Sequence, residues 1–144
     1  MTWLNEEYFP GGGYSCPPLS AVATNGDIFR FTQNETISKD DFVAYTSKDR
    51  FRAKHKNNPE MLCQGSGLSS FVSENDAESF RKNVIKGAKA TKKNFRYLSR
   101  VNLNENDGLI LCTPSVNSCK HHTWWVRSGT IESNIKSSII IKEY

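Results

Sequence analysis

The chain has 144 residues, 37% of them apolar and 11% aromatic, with a formal net charge of +4. That length makes one domain, able to bury roughly two-thirds of its unfolded surface without a metal or a disulfide, and the aromatic content excludes a disordered chain. No apolar run approaches the ~20 residues that span a bilayer, and the opening "MTWLNEEYFPGGGYSCPP" lacks the basic and apolar regions of a secretory signal, so the expectation is a cytoplasmic protein, without a membrane partner, whose Cys16, Cys63, Cys112 and Cys119 are reduced.

Residues 1–26 read as an irregular arm. "PGGGYSCPP" breaks regular structure, but Trp3, Tyr8, Phe9 and Tyr14 are too apolar for a free tail, so the arm is expected to lie across a domain spanning 27–144. "TNGD" signals a turn. "DIFRFTQ" then alternates, Ile28, Arg30 and Thr32 against Phe29 and Phe31, which predicts a strand. Ser38 as N-cap with Asp41 at N3 predicts a helix through "DDFVAYTSKDRFRAKHK", stopped by "NNP". "GSGLSSFVS" reads as a glycine turn and a short strand. "SENDAESFRKNVIKG" predicts a second helix, capped by Ser73, striped by Ala77, Phe80 and Val84, and ended by Gly87. Four strands follow: "NFRYLSRVNL", "LILCT" after the "ENDG" turn, "HHTWWVR" and "SSIIIKEY". Two helices and a mostly antiparallel sheet make the expected class α+β.

"CKHHTWWV", Cys119–Val126, concentrates chemistry. In a strand, His121, Thr123 and Trp125 share one face and His122, Trp124 and Val126 the other. If both faces are covered, both tryptophans are core. If one face lines a cleft, a histidine there serves as acid, base or donor and a ring stacks on a ligand. Zinc is disfavoured, because Cys112 and Cys119 are seven apart and the histidines are adjacent, whereas structural zinc sites use closer pairs. Cys63 with His121 or His122 is a possible nucleophile pair without any supporting signature. "QGSGLSSF" lacks the Gly-Lys-Ser/Thr of a nucleoside-triphosphate loop.

Charge is uneven. Residues 1–80 hold 7 Lys+Arg against 11 Asp+Glu, and residues 81–144 hold 12 against 4. The run 81–100 has eight Lys/Arg, no acid, and Phe95 and Tyr97 near its end. Aromatics beside cations can stack on bases while the cations hold phosphates, so one reading is a non-enzymatic module that binds nucleic acid or a protein partner through this basic half.

A second reading comes from order. A strand carrying Arg30 in "IFRF", the turn-strand "GSGLSSFVS" and the capped helix with an early alanine, "ENDAESF", together resemble the ADP-ribosyltransferase-like fold over residues 27–85. The resemblance implies an NAD- or nucleotide-binding transferase domain of the kind used by bacterial toxins and effectors, with a macromolecular acceptor and an inhibitory protein partner. It implies that Arg30 holds NAD, that Ser69 or Ser70, with Gly67, shapes the nicotinamide pocket, and that Glu132 in "SGTIESN" is the catalytic carboxylate, with Glu143 a rival. Thr130 stands where arginine-type members carry Gln or Glu. His122 is the catalytic histidine of this reading, and Trp124 or Trp125 stacks on a ligand ring. The "HHTWWV" segment also resembles the C-terminal part of small bacterial proteins of undefined activity.

Overall fold

The computed structural model describes residues 2–86 and 92–144. A two-residue β1 (Val22–Ala23) precedes β2 (Gly26–Thr32), in which Ile28, Arg30 and Thr32 are buried and Phe29 and Phe31 half-buried. Period-two burial on both faces is what a strand between two layers shows. After it come α1 (Asp49–Lys54), α2 (Pro59–Ser66), β3 (Leu68–Ser70) and α3 (Glu74–Ile85), and then β4 (Tyr97–Leu103), β5 (Gly108–Cys112), β6 (His122–Val126), α4 (Ile131–Ser137) and β7 (Ser138–Glu143).

The strands form two antiparallel sheets, ordered β1-β5-β6-β3 and β2-β4-β7. The class is therefore α+β, as expected. Ile28, Val101 and Leu103 of one sheet pack against Leu68, Trp124 and Val126 of the other, with Phe42 and the α4 residues Ile131 and Ile135 closing that core. A second cluster, Phe71, Ala77 and Leu98, gathers Phe29, Phe31 and Phe80.

Three helical expectations change. The helix expected from Ser38 is a 3-10 turn, Lys39–Phe42, then another, Tyr45–Ser47, before α1. Its capping box is present: the Ser38 hydroxyl accepts from the Asp40 N–H, and the Ser38 N–H donates to the Asp41 carboxylate at 2.9 Å. The helix does not propagate because Phe42, Ala44 and Thr46 are buried while Val43 and Tyr45 are exposed. That is strand periodicity, incompatible with one face of a helix. The other two changes are additions. Asn58 caps α2, its side chain accepting from the Met61 N–H, and Pro59 starts it. α4 forms where only a connection between strands was expected. By contrast, α3 begins as predicted, with the Ser73 hydroxyl accepting from the Asp76 N–H at 3.1 Å; Gly87, its expected end, lies outside the described residues.

The arm is tied down. Trp3 bridges Arg127, whose guanidinium sits 4.1 Å from the Trp3 ring centroid, and the Leu4 N–H donates to Val126. Cys16 is disulfide-bonded to Cys63 on α2. The expectation of four reduced cysteines is corrected for this pair: the arm folds back over α2 and brings two residues 47 apart in sequence into bonding range. Cys112 and Cys119 are free and exposed. No described helix is long and apolar enough to cross a membrane.

Candidate functional site in the wedge between the sheets

The two sheets are joined edge to edge by a main-chain bridge. Phe29 and Phe71 exchange main-chain hydrogen bonds of 2.8 and 2.9 Å, and no further β2–β3 pairing follows. Beyond that bridge the strands diverge. Residues Arg30–Asn34 line one side of the gap and Gly67–Ser69 the other, around a cavity of about 550 Å³. The Asp40–Tyr45 region and Lys48 form a third wall, and Phe80, Val84, Phe95, Asn94 and Asn117 a fourth. The volume falls in the range of small-molecule sites.

Arg30 enters from β2. The residue is 8% exposed, and its guanidinium lies 5.1 Å from the Phe42 ring centroid and donates one Nη2 hydrogen bond to the Asp41 carbonyl. The capping box holds that carbonyl in place. Arg30 Nε has no partner among the described residues. Burial pulls this guanidinium down to about 10, against the Asp41 and Tyr45 charges, so it remains cationic at neutral pH. A buried N–H without an acceptor is costly. Ser70 Oγ is likewise buried without a partner. Extending the Phe29–Phe71 pairing would set Ser70 opposite Arg30 and Ser69 opposite Phe31.

Ser69 belongs to a polar chain across β3, β6 and the end of β5. Its Oγ is 2.6 Å from His121 Nε2, and His121 Nδ1 is 3.0 Å from the Thr113 carbonyl. The Thr113 hydroxyl lies 3.0 Å from the same Nδ1 and 2.8 Å from the Thr123 hydroxyl. A carbonyl only accepts, so Nδ1 carries the proton and Nε2 presents a lone pair to the Ser69 hydroxyl. The imidazole ring centroid is 5.7 Å from that of Phe71 and 5.9 Å from that of Phe80. Burial lowers the His121 pKa, the Thr113 carbonyl opposes that shift, and the neighbouring His122 charge adds to it. His121 is thus a neutral acceptor at pH 7.

The expected site residues divide. Arg30, Gly67 and Ser69 line one cavity. Ser70 is buried beside it. His122 does not join them: it lies on the opposite face of β6, and its Nδ1 donates to the Lys120 carbonyl at 2.8 Å. The histidine that meets Ser69 is His121. Trp124 and Trp125 are fully buried, so neither ring is placed to stack on a ligand. The Trp124 indole N–H donates to the Asp107 carbonyl at 3.2 Å, and that of Trp125 to the Cys63 carbonyl at 2.9 Å. Both faces of this strand are covered, and each ring also spends its polar handle inside the protein. Gly67 is a packing requirement: a Cβ there would stand 2.4 Å from Thr123 Cγ2 and 3.1 Å from the Trp124 carbonyl.

Glu132 lies in the first turn of α4 and is exposed; Glu143 pairs with Arg96 at 3.2 Å. Neither lines the wedge, because Glu132 sits on the exposed side of α4 and Glu143 on β7. The carboxylates that do line it are Asp40 and Asp41. Cys63 is spent in the disulfide and supplies no nucleophile.

The basic run 81–100 is only partly within the described residues. Arg81 donates to the Phe95 carbonyl at 2.9 Å and lies over the Tyr144 ring, and Arg96 is paired with Glu143. Phe95 lines the cavity, while Tyr97 is buried. Sequence reasoning missed Asp40, Lys48, Phe80 and Thr113. Thr113 orients His121 through a main-chain carbonyl, which leaves no signature in side-chain identity. Comparison with protein-family models, curated proteins and solved structures finds no match for this chain.

Proposed function

We propose that the wedge binds NAD or a related nucleotide, and that the chain is an ADP-ribosyltransferase-like domain. The observation that carries the reading is the convergence of Arg30, Gly67 and Ser69 on one cavity, since these are the positions the resemblance assigned to the ligand. Arg30 lines the cavity, and a planar guanidinium suits a diphosphate. Lys48 adds a second cation, and Tyr45, Phe80 and Phe95 offer rings to a base or nicotinamide. The transfer carboxylate of this reading is Asp40, because Asp41 is committed to the Ser38 cap. A carboxylate at the wedge stabilises the oxocarbenium that develops as nicotinamide leaves.

The disulfide favours an oxidising compartment over the cytoplasm, which suits an exported toxin or effector. The test is thermal unfolding with NAD and with ADP-ribose. Ligand at about 100 times its Kd adds ~2.7 kcal/mol of stability. Arg30→Lys keeps the charge but loses the fork, and should abolish the shift. Asp40→Asn should retain binding and stop nicotinamide release. An unchanged melting temperature of the wild-type protein in both ligands would overturn the reading.

A further inference from the structure

We propose that Ser69 is a nucleophile activated by His121, and that the wedge performs phosphoryl transfer from an anionic phosphoester through a phosphoserine intermediate. This goes beyond ligand binding and rests on the Ser69–His121 geometry, whatever Arg30 holds.

Three features combine. Ser69 is half-buried and is one of the residues that line the cavity. His121 Nε2 stands 2.6 Å away with its lone pair available, because the Thr113 carbonyl engages the Nδ1 proton at 3.0 Å. A nucleophile bonded to a base, with that base oriented by a third group, is the arrangement that activates serine. Here a main-chain carbonyl does what a carboxylate does in better-known triads. It fixes the tautomer without adding negative charge. Arg30 and Lys48 line the same cavity, beside the Asp40 and Asp41 carboxylates, and offer cations to the charge that a phosphoester carries at its reacting centre.

The steps balance. The Ser69 Oγ–P bond forms as the bond from phosphorus to the leaving oxygen breaks. The Ser69 proton passes to His121 Nε2 and then to the leaving alkoxide. Water next attacks phosphorus and gives a proton to Nε2, and Ser69 Oγ departs taking that proton. A phosphodiester and water yield a phosphomonoester and an alcohol, and the pair is regenerated.

The experiment uses the intact chain without NAD, so its failure leaves the NAD reading untouched. Diisopropyl fluorophosphate should form a covalent adduct that peptide mass spectrometry places on Ser69. Ser69→Ala should abolish it, and His121→Gln should slow it at least ~100-fold, the scale of a lost general base. If His121→Gln fails to fold, the wild-type labelling rate against pH decides. That rate should rise through one ionisation below the usual imidazole range. The groups facing His121 are His122 and the Thr113 carbonyl, with the uncharged Phe71 and Phe80 rings around them. Bis(p-nitrophenyl) phosphate should then be turned over. No adduct on Ser69, a rate indifferent to both His121 and pH, or an adduct without turnover of the diester each overturns the proposal. The second of these outcomes would mark the 2.6 Å contact as a structural cross-strand bond only.

Discussion

Phe29 on β2 and Phe71, next after β3, join the edges of the two sheets through a reciprocal pair of main-chain hydrogen bonds. The wedge opens beside that bridge, with Arg30 next to Phe29 on one side and Ser69 close to Phe71 on the other. Phe71 is 1% exposed and its ring packs against Phe31 and Phe80, at centroid distances of 6.2 and 4.9 Å. Phe71→Ala should cost about 3–5 kcal/mol, as buried aromatic truncations do. Chemical denaturation measures it. A loss below about 1 kcal/mol would mean that the bridge does not need its side-chain support.

Gly67→Ala tests the opposite rim. The added methyl meets Thr123 and the Trp124 carbonyl, both on β6 at the centre of its sheet. Neither can retreat, so overpacking should cost about 1–3 kcal/mol. The double variant Gly67→Ala/Thr123→Ser removes the nearest methyl and should recover part of the loss in the same denaturation assay.

The Cys16–Cys63 bond closes a long loop. With a sequence separation of 47, the chain-entropy account assigns it about 4 kcal/mol. Reductant, or Cys16→Ser, should lower the melting temperature sharply. Thiol titration of the native protein should detect Cys112 and Cys119 alone, since these are the free cysteines. Four reactive thiols in the folded protein would refute the pairing.

His121 makes stability depend on pH. Its pKa in the folded state lies below the ordinary 6.5, chiefly through burial. The unfolded chain therefore binds more protons between the two values, and stability rises with pH across that window. Acidification from about pH 7 to about pH 5 should destabilise the protein. His121→Gln, which keeps a hydrogen-bonding side chain without the titration, should flatten this part of the profile of melting temperature against pH. An unchanged slope would assign the effect elsewhere.

What could be read from one dimension was periodicity and caps. Alternation in "DIFRFT" marked β2 and set Arg30 on the same face as Ile28 and Thr32, and the tertiary structure buried that face. Ser73 and Asp76 marked the start of α3, and Ser38 with Asp41 marked a cap, because these signals act over three residues. The extent of the Ser38 helix was misread, since the cap is local but propagation depends on which side chains the core accepts. α4 has no side-chain N-cap hydrogen bond, and so left no mark of that kind.

The alternation rule also put His121 and His122 on opposite faces, but which face met a serine depended on the register of β3 against β6. That register pairs Ser69 with Thr123 and brings His121 diagonally onto Ser69. The disulfide, the burial of both tryptophans and the exposure of Glu132 are decided the same way, by contacts between residues far apart along the chain. Local steric and hydrogen-bonding preferences are written residue by residue and survive in the sequence. Long-range pairing is chosen by the collective packing of two sheets and their helices, and no short segment carries that information.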